Sequence, residues 1–476
     1  MELSLMFRMK GLNTGRRRAA QFLLLAFFSL LLSVGGFAQT PPNKRAEKLS
    51  KEGYSEFYKG NYKKAIENCD KAIKVQPQLP YAYYIKGWSH FRLGQHQQAV
   101  IALNKALEQG HDQFEVAEVR GQALYFLKDL ANAEKDLTVF ANSAKSNGPA
   151  TFVLAQILFA QQKYSQAGAR FQKALEQGYK DKNIQYYLAV CLGAAQDRAG
   201  QERAANQAIQ DGTQFLGEAY YQAGNALYNQ KKFDAAIAAY DKALQLKPSI
   251  KEAYYDLYQI YRQLNRDDKA VDIMKRRTKE DPTDVQGFLN LSWIASLSKR
   301  SQDAVEAALQ ATKLAPREST GFTNMCRAYN DLKLYDSAIQ ACNDALAIKP
   351  GDGETYLYLA RAKDEQKKAN EATLYFDKAV IGLIDYTRQN PDNADGFYLL
   401  GNAFYSAKQR NKAIPAYLRA LELNPRYVQA RYNLGYIYAQ LGDYRSAKDQ
   451  YDLLVVLDAD LAARLLPNIE KPGKQD

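Results

Sequence analysis

Apolar and small residues recur along the chain at helical spacing, and residues 217–250 show the pattern most clearly. Bulky apolar side chains there alternate with small ones, and both sets fall every three or four residues, as on one face of a helix. Gly224 and Ala236 would let two antiparallel helices approach closely. Pro248 ends the second helix because proline has no amide hydrogen to continue it. The stretch therefore predicts a pair of antiparallel helices joined by a turn.

The equivalent of Ala236 returns at regular intervals through the chain. Its steps are 34 residues, apart from one of 69 and one of 41. The 69-residue step contains two copies and one extra residue, so it predicts a degenerate copy in which Gln201 falls near the expected alanine. The 41-residue step adds seven residues, or about two helical turns, to a second helix. These alanines are Ala65, Ala99, Ala133, Ala167, Ala236, Ala270, Ala304, Ala338, Ala372, Ala413 and Ala447.

The spacing of Tyr220, Ala223, Gly224, Leu227, Ala236, Tyr240, Ala243 and Pro248 resembles the tetratricopeptide repeat (TPR) family. The resemblance implies an all-α, right-handed superhelical solenoid in which the first helix of each repeat lines a concave groove that holds short protein segments. Twelve repeats are expected within residues 46–461. Their approximate ranges are 46–79, 80–113, 114–147, 148–181, 182–216, 217–250, 251–284, 285–318, 319–352, 353–393, 394–427 and 428–461.

The two ends of the chain differ from the repeats. Three arginines, an apolar run and small residues before Gln39 predict a secretory signal peptide over residues 1–38, followed by a linker over 39–45. Export places the protein in the periplasm or outside the cell. The alternative is an uncleaved membrane anchor over residues 19–38. At the other end, residues 460–466 are expected to form a capping helix that Pro467 ends, and residues 467–476 a disordered tail.

Side chains that vary between the repeats are the candidates for binding. On the first helices they give the groove an aromatic lining, with packing between repeats as the alternative role for these rings. The candidates are Tyr84, Trp88, Phe91, Tyr125, Phe152, Phe159, Tyr186, Tyr221, Asn225, Tyr228, Tyr255, Arg327, Arg361, Tyr398, Asn402, Tyr405, Tyr432, Asn433 and Tyr436.

Two subsets have more specific interpretations. Asn402 and Asn433 match the asparagines with which some TPR co-chaperones hold an acidic carboxyl terminus, although Tyr398 replaces the first lysine of that clamp and no third repeat follows. Arg327 and Arg361 occupy equivalent positions in consecutive repeats and could receive an acidic segment. The alternative is that they pair with the acidic residues four positions later on their own helices, Asp331 and Glu365.

The cysteines allow one disulfide. Cys326 and Cys342 fall in facing columns of one repeat, at similar heights on the two helices, so a bridge between them is plausible in an oxidising compartment. The alternative is a pair of small buried thiols. Cys69 and Cys191 lie in distant repeats and are expected to remain unpaired.

Charge and motifs argue against several functions. The net charge is +12, of which the leader holds five basic residues against Glu2, which leaves +8 for the rest. The basic stretch 275–279 is interleaved with acidic residues and predicts a solvated outer face rather than a nucleic-acid site. The three histidines, His90, His96 and His111, lack the spacing of a metal pair, and phosphate-loop and hydrolase motifs are absent. We therefore expect no enzyme, metal or cofactor.

Together these features predict an exported scaffold that binds protein or peptide segments through its groove, in a cell-envelope assembly or secretion complex. The alternative function is glycan binding in an envelope polysaccharide assembly or export system, where tyrosine and tryptophan would stack on sugar faces.

Overall fold

The computed structural model describes residues 43–470, and all of its regular secondary structure is helical. Twenty-five helices follow one another with no strand among the described residues. The prediction of an all-α fold is confirmed. The signal-peptide call over residues 1–38, most of the linker and the tail after Glu470 lie outside the described residues. The described chain divides between Lys180 and Asp181 into two compact parts, an N-terminal part and a C-terminal part.

The N-terminal part contains four helix pairs, which we number as repeats 1 to 4. In each repeat the first helix packs against the second, and within this part the second helices of repeats 1 to 3 pack against the first helix of the following repeat. The helices are α1 Lys44–Tyr58, α2 Tyr62–Val75, α3 Pro80–Arg92, α4 His96–Glu108, α5 Gln113–Phe126, α6 Leu130–Ala141, α7 Gly148–Ala160 and α8 Tyr164–Glu176.

The C-terminal part continues with repeats 5 to 12 and one final helix. We call the face built by the first helices of the repeats the inner face. The helices are α9 Ile184–Ala194, α10 Arg198–Gln210, α11 Leu216–Asn229, α12 Phe233–Leu246, α13 Lys251–Gln263, α14 Asp267–Glu280, α15 Val285–Leu297, α16 Ser301–Leu314, α17 Ser319–Asp331, α18 Tyr335–Ile348, α19 Gly353–Glu365, α20 Ala369–Gln389, α21 Ala394–Ser406, α22 Arg410–Leu423, α23 Val428–Gln440, α24 Tyr444–Leu457 and α25 Ala459–Glu470.

The recurring alanines lie at the contact between the paired helices. All eleven are 0–2% exposed, as a column reserved for close approach requires. The glycine column faces bulky side chains of the second helix: a Cβ on Gly224 would lie 2.6 Å from ring atoms of Tyr240, and one on Gly401 equally near Tyr417. Each small residue therefore makes room for a large partner, which is how the two helices interlock.

The degenerate fifth repeat fills the same space differently. Gln201 replaces the alanine and is only 2% exposed. Its amide donates to Gln222 Oε1 (2.9 Å), and Arg198 donates to its Oε1 (3.3 Å). Gly193 on the facing helix accommodates it, because a Cβ there would lie 2.6 Å from Gln201 Nε2. A buried amide is tolerated here because these hydrogen bonds replace its contacts with water.

The seven-residue insertion lengthens α20 to 21 residues. Its added turns bring Gly382 against the start of α19, where a Cβ would lie 2.7 Å from the Gly351 carbonyl oxygen and from the Gly353 backbone. Backbone thus packs directly on backbone, which only residues without side chains permit.

The final helix covers the end of the stack. Leu465 is fully buried with Leu454, Val428 and Ala462. The expectation that Pro467 ends this helix is wrong, because α25 continues to Glu470. Proline removes one backbone hydrogen bond, but the continuation lets Ile469 pack on the same apolar cluster. Residues 467–470 are therefore helical and do not belong to a disordered tail. No helix among residues 43–470 combines the length and apolarity needed to cross a membrane.

Candidate functional site

Three exposed aromatic side chains of the N-terminal part lie together on the inner face. Tyr54 and Tyr58 of α1 have ring centroids 4.6 Å apart, and Tyr81 of α3 lies 5.9 Å from Tyr54. Trp88 connects them to the core, 6.5 Å from Tyr58 and 5.5 Å from Tyr84. We call these five residues the aromatic ladder. Tyr58 is 64% exposed, Tyr54 38% and Tyr81 37%, so these three side chains are accessible to solvent.

An ionic border adjoins the aromatic ladder. The His111 ring stacks on Tyr84 at 4.4 Å and contacts Glu115, with 3.0 Å between Nε2 and Oε2. Burial lowers the pKa of His111 and raises the pKa of the neighbouring Glu118 carboxyl. Lys145 pairs with Glu115 at 3.0 Å. The border therefore consists of groups already paired among themselves, next to rings that remain accessible.

Tyr54, Tyr58 and Tyr81 were not among the candidates predicted from the sequence. Tyr54 and Tyr58 lie four residues apart on the first helix of repeat 1, a spacing that places them on one face. That spacing was available in the sequence. The position of Tyr81 beside them follows only from the packing of α3 on α1.

The groove residues predicted in the N-terminal part have unequal exposure. Trp88, Phe91, Tyr125 and Phe159 are half-buried, which leaves part of each ring accessible. Tyr84 and Phe152 are only 5% and 6% exposed and belong to the packing between helices. For these two residues the groove-contact interpretation is wrong, since their rings are covered by neighbouring aromatic side chains.

Half-buried tyrosines of repeats 6 and 7 connect consecutive repeats. Tyr221 donates to Asp256 (3.1 Å), and Tyr255 donates to Asp284 (2.7 Å). Burial raises the pKa of the Asp256 carboxyl. Asn225 Oδ1 accepts from the buried Tyr240 hydroxyl (2.7 Å). These polar groups therefore stabilise the stack. Tyr186 and Tyr228 are also half-buried.

The two asparagines of the suggested carboxylate clamp bond to each other. Asn402 Oδ1 accepts from Tyr417 (2.6 Å) and from Asn433 Nδ2 (2.9 Å). Tyr398 packs against Tyr427, with centroids 5.0 Å apart. The structure thus gives these side chains an internal role at the contact between repeats 11 and 12.

A cavity of about 450 Å³ adjoins these asparagines on the inner face of repeats 10 to 12. Tyr405 and Tyr436 line it, with centroids 6.4 Å apart, and Tyr432 stacks beside Tyr436 at 6.3 Å. Arg361 is exposed at its edge, and its Nη1 lies 3.7 Å from Asp331 Oδ1 of the preceding repeat. Arg361 therefore contacts an acidic residue of its neighbour, not the Glu365 considered from the sequence.

Arg327 lies inside the protein. Its side chain is only 6% exposed, with Nη1 3.9 Å from Glu354 Oε1, and its guanidinium lies over Trp293 (5.4 Å) and Tyr358 (5.9 Å). Arg327 therefore does not pair with Asp331, and it is not open to an acidic partner segment. Both expectations from the sequence are wrong for this residue. The aromatic rings and Glu354 enclose it because α17 packs between the first helices on either side.

A second cavity, of about 500 Å³, opens beside this ion pair and is lined by Trp293, Glu354, Tyr386 and Asp395 among others. We call it the central cavity. Burial raises the pKa of Glu354 to about 7, and the nearby Arg327 guanidinium opposes this shift. Buried Glu354 Oε1 lacks a hydrogen-bond partner. This carboxyl is consequently a proton acceptor of near-neutral pKa at the wall of the cavity.

One ion pair at this cavity joins distant repeats. Arg262 of α13 donates from Nη2 to both carboxylate oxygens of Asp395 on α21, at 2.9 and 3.1 Å. Tyr427 donates to the same carboxylate (2.7 Å), and the Arg262 guanidinium lies 4.3 Å from the centroid of Trp293. No single-sequence pattern indicated that these residues meet.

The basic stretch 275–279 is only partly a solvated outer face. Lys275 pairs with Asp303 (2.8 Å) and Arg276 with Asp241 (3.2 Å). Arg277 contradicts the expectation, since it is 4% exposed and bonds to Asp284 and Asp281. It was misassigned because its neighbours are polar, whereas its position on α14 faces the next repeat.

Cys326 and Cys342 form a disulfide in the structure, with Cα atoms 5.2 Å apart. Cys69 and Cys191 are free and buried, and burial raises the pKa of each thiol to about 12. Residues 43–470 contain no cluster of three or more His, Cys, Asp or Glu side chains able to hold a metal ion.

Comparison with known proteins gives matches along most of the described chain. Family models described as tetratricopeptide repeat match residues 152–215, 217–250, 253–286 and 428–460, and one described as TPR repeat matches residues 401–442. A model described as anaphase-promoting complex, cyclosome, subunit 3 matches residues 58–140.

Individual relatives match over short stretches. A UDP-N-acetylglucosamine--peptide N-acetylglucosaminyltransferase of Giardia intestinalis is 36% identical over 93 residues, which are 20% of this chain and 6% of that protein. The peroxisomal targeting signal receptor of Candida albicans is 34% identical over 74 residues, 16% of this chain and 12% of that receptor. The chain thus spans only a small part of the length of either relative.

Among solved structures, yeast Tom70 is 17% identical, with 90% of this chain and 100% of that chain covered and a TM-score of 0.36. The fold agrees with the matches to the family models. The buried alanine column and the interlocking glycines recur with the 34-residue period of the tetratricopeptide model that matches residues 217–250. The chain belongs to the tetratricopeptide repeat family.

Proposed function

We propose that this protein is an exported scaffold that binds protein segments through its inner face, within a cell-envelope assembly or secretion complex, and performs no catalytic step. The accessible rings of the aromatic ladder in repeats 1 and 2 are the binding surface on which this proposal depends.

The observation that carries the proposal is the exposure of Tyr54, Tyr58 and Tyr81 beside Trp88. Contiguous exposed aromatic rings are uncommon on a monomer and mark surfaces that bind a partner. Tyrosine and tryptophan are also the residues that contribute most at protein interfaces, because they bury a large area at low conformational cost. Together the rings form a surface that an apolar or aromatic side chain of a bound segment could cover.

Two features support export. The leader sequence has the order of a secretory signal, with basic residues, an apolar run and small residues before Gln39. The disulfide between Cys326 and Cys342 is of a kind that persists in oxidising compartments. N-terminal sequencing of the protein recovered from its native source should begin at Gln39. An N-terminus at Met1, in a membrane fraction, would support the anchored alternative.

The binding surface is tested with Tyr54→Ala and Tyr58→Ala combined in one variant. The matched control is Ile101→Ala, which truncates a side chain that is 56% exposed on the second helix of repeat 2, away from the inner face. Each variant is exchanged for the wild type in the native host, crosslinked in place and purified, and its partners are quantified by mass spectrometry. We expect the amount of each specific partner recovered with the tyrosine variant to fall at least tenfold, since each hot-spot truncation costs about 1–2 kcal/mol of binding free energy.

The glycan alternative gives a different pattern in the same experiment. If the tyrosine variant keeps its protein partners but no longer binds cell-wall glycan in a sedimentation assay, the ladder binds sugar faces and the protein-scaffold proposal is wrong. Equal recovery of partners and of glycan by the variant and by Ile101→Ala would remove the ladder as a binding surface altogether.

A further inference from the structure

The contact between Arg262 and Asp395 joins residues 133 positions apart in the chain, on the first helices of repeats 7 and 11. The guanidinium makes two hydrogen bonds with the carboxylate, and Tyr427, which immediately precedes α23, adds a third. Burial raises the pKa of the Asp267 carboxyl in repeat 7, and a hydrogen bond with Gln429 of repeat 12 opposes this shift. Repeats 7 and 11 are separated by three intervening repeats, so these bonds cross the inner face rather than follow the stack.

The hydrogen bonds of the crossing are made by side chains. Helices α13 and α21 do not pack along their lengths in the described chain; each packs on its neighbours in the stack. In the ion pair, 21% of the Arg262 side chain and 28% of the Asp395 side chain remain exposed, so water can compete for the hydrogen bonds of both groups. The crossing therefore consists of polar contacts, together with the Arg262 guanidinium over the Trp293 ring.

The closed contact forms part of the wall of the central cavity. Trp293, which the Arg262 guanidinium covers, and Asp395 both line it. Its volume of about 500 Å³ is within the range of sites for one small ligand. An extended segment advances about 3.3 Å per residue and needs an open groove, which the crossing side chains interrupt. Trp293 and Glu354, which line this cavity, are therefore inaccessible to such a segment while the contact is formed.

We propose that Arg262 and Asp395 form a latch that closes the inner face of repeats 7 to 11, and that opening the latch admits a protein segment to the aromatic and charged side chains beneath. The inference rests on the proposed function in taking a protein segment as the occupant. It adds that the central cavity binds a segment only after a conformational change, whereas the aromatic ladder of the N-terminal part is open.

Tryptophan fluorescence can report the latch directly. The chain has two tryptophans, so Trp88→Phe leaves Trp293 as the single indole, and this variant is the parent for the experiment. Asp395→Asn removes the carboxylate charge but keeps the Arg262 side chain, so the substitution does not by itself remove the group that covers the Trp293 indole. Collisional quenching is measured with acrylamide, and with a ten-residue Gly-Ser peptide that carries a terminal nitroxide, which quenches only where a peptide can reach.

We expect Asp395→Asn to raise the quenching constant at least twofold for acrylamide, and by a larger factor for the nitroxide peptide. Asp241→Asn is the control, because it breaks an exposed ion pair with Arg276 away from the inner face, and its constants should equal those of the parent. Tyr427→Phe, which removes one hydrogen bond and keeps the ion pair, should give an intermediate increase, and it keeps the test available if Asp395→Asn folds poorly.

Unchanged quenching in both Asp395→Asn and Tyr427→Phe, with native circular dichroism, would overturn the latch. An increase for acrylamide without any for the peptide would show loosened packing without an opening and would also overturn it. The measurement needs no native partner and concerns the C-terminal part alone. Failure of the latch is therefore distinguishable from failure of the proposed function, which is tested at Tyr54 and Tyr58.

Discussion

The glycine contact at the start of α19 offers a sharp test of the packing around the inserted turns. Gly382 of α20 lies so near Gly351 and Gly353 that an added Cβ would be 2.7 Å from the Gly351 carbonyl oxygen and the Gly353 Cα and nitrogen. Ordinary contact begins at 3.4 Å, so Gly382→Ala requires a displacement of about 0.7 Å (3.4 minus 2.7) between two helices.

The expected magnitude follows from two opposing effects. Alanine inside a helix is favoured over glycine by about 1 kcal/mol, whereas overpacking a filled site costs about 1–3 kcal/mol and sometimes more. The obstructing atoms at Gly382 are backbone, which cannot rotate away as the Tyr240 ring facing Gly224 can, so the cost belongs at the upper end of that range. We expect Gly382→Ala to lower the free energy of unfolding by roughly 1–2 kcal/mol.

Urea unfolding followed by Trp293 fluorescence, in the Trp88→Phe background, is the appropriate assay. A chain with two compact parts need not unfold in one step, and Trp293 reports the C-terminal part, where the substitution lies. With a urea dependence of about 2 kcal/mol per molar, the midpoint should fall by roughly 0.5–1 M. Gly351→Ala is the control, since its Cβ would meet no atom within 4 Å. An unchanged or higher midpoint for Gly382→Ala would refute the backbone contact.

Three further predictions concern stability and redox state. Ala236→Phe should destabilise the protein by about 1–3 kcal/mol or more because its column has no free space, whereas Ala235→Phe, on the exposed side of the same helix, should change the urea midpoint little. Thiol titration of the exported protein in denaturant without reductant should find two thiols, and four would contradict the Cys326–Cys342 bridge; reducing that bridge should cost about 3 kcal/mol, as expected for a loop of about 15 residues. The pKa of Glu354 is about 7 in the folded protein against an ordinary 4.5, so its contribution to stability is fully present below about pH 4.5 and is lost as pH rises through 7. The free energy of unfolding of Glu354→Gln, measured with urea, should not show this loss and at pH 8 should exceed that of the parent by about 1–3 kcal/mol. If the free energy of unfolding of the two proteins has the same pH dependence, the assignment is wrong.

Much of the architecture was predictable from the sequence because each repeat is specified locally. Close packing of each helix pair requires small residues such as Ala236 and Gly224 at a fixed spacing, and the alanine of this pattern recurs in every repeat except the fifth. The insertion in α20 was predictable for the same reason, since seven residues are close to a whole number of turns. The end of α25 was not, because the burial of Ile469 outweighs the helix-ending tendency of Pro467.

The candidate site was less predictable, because position on a first helix does not fix exposure. Tyr84 and Trp88 share a helix face, yet one ring is buried beneath His111 while the other is half-exposed. Arg327 and Arg361 occupy equivalent columns, but only Arg361 is exposed, since aromatic rings of neighbouring helices enclose Arg327. Exposure depends on the side chains contributed by adjacent repeats, which vary from copy to copy.

The sequence by itself determined the repeat, its period, its two insertions and the facing positions of Cys326 and Cys342, because all of these depend on contacts within 34 residues or between adjacent copies. Only the tertiary structure decided that Arg262 meets Asp395. That contact depends on the accumulated rotation and displacement of the intervening repeats, to which the two added turns of α20 contribute. Periodicity specifies how each copy packs on the next, but the meeting of residues 133 positions apart is a property of the whole stack.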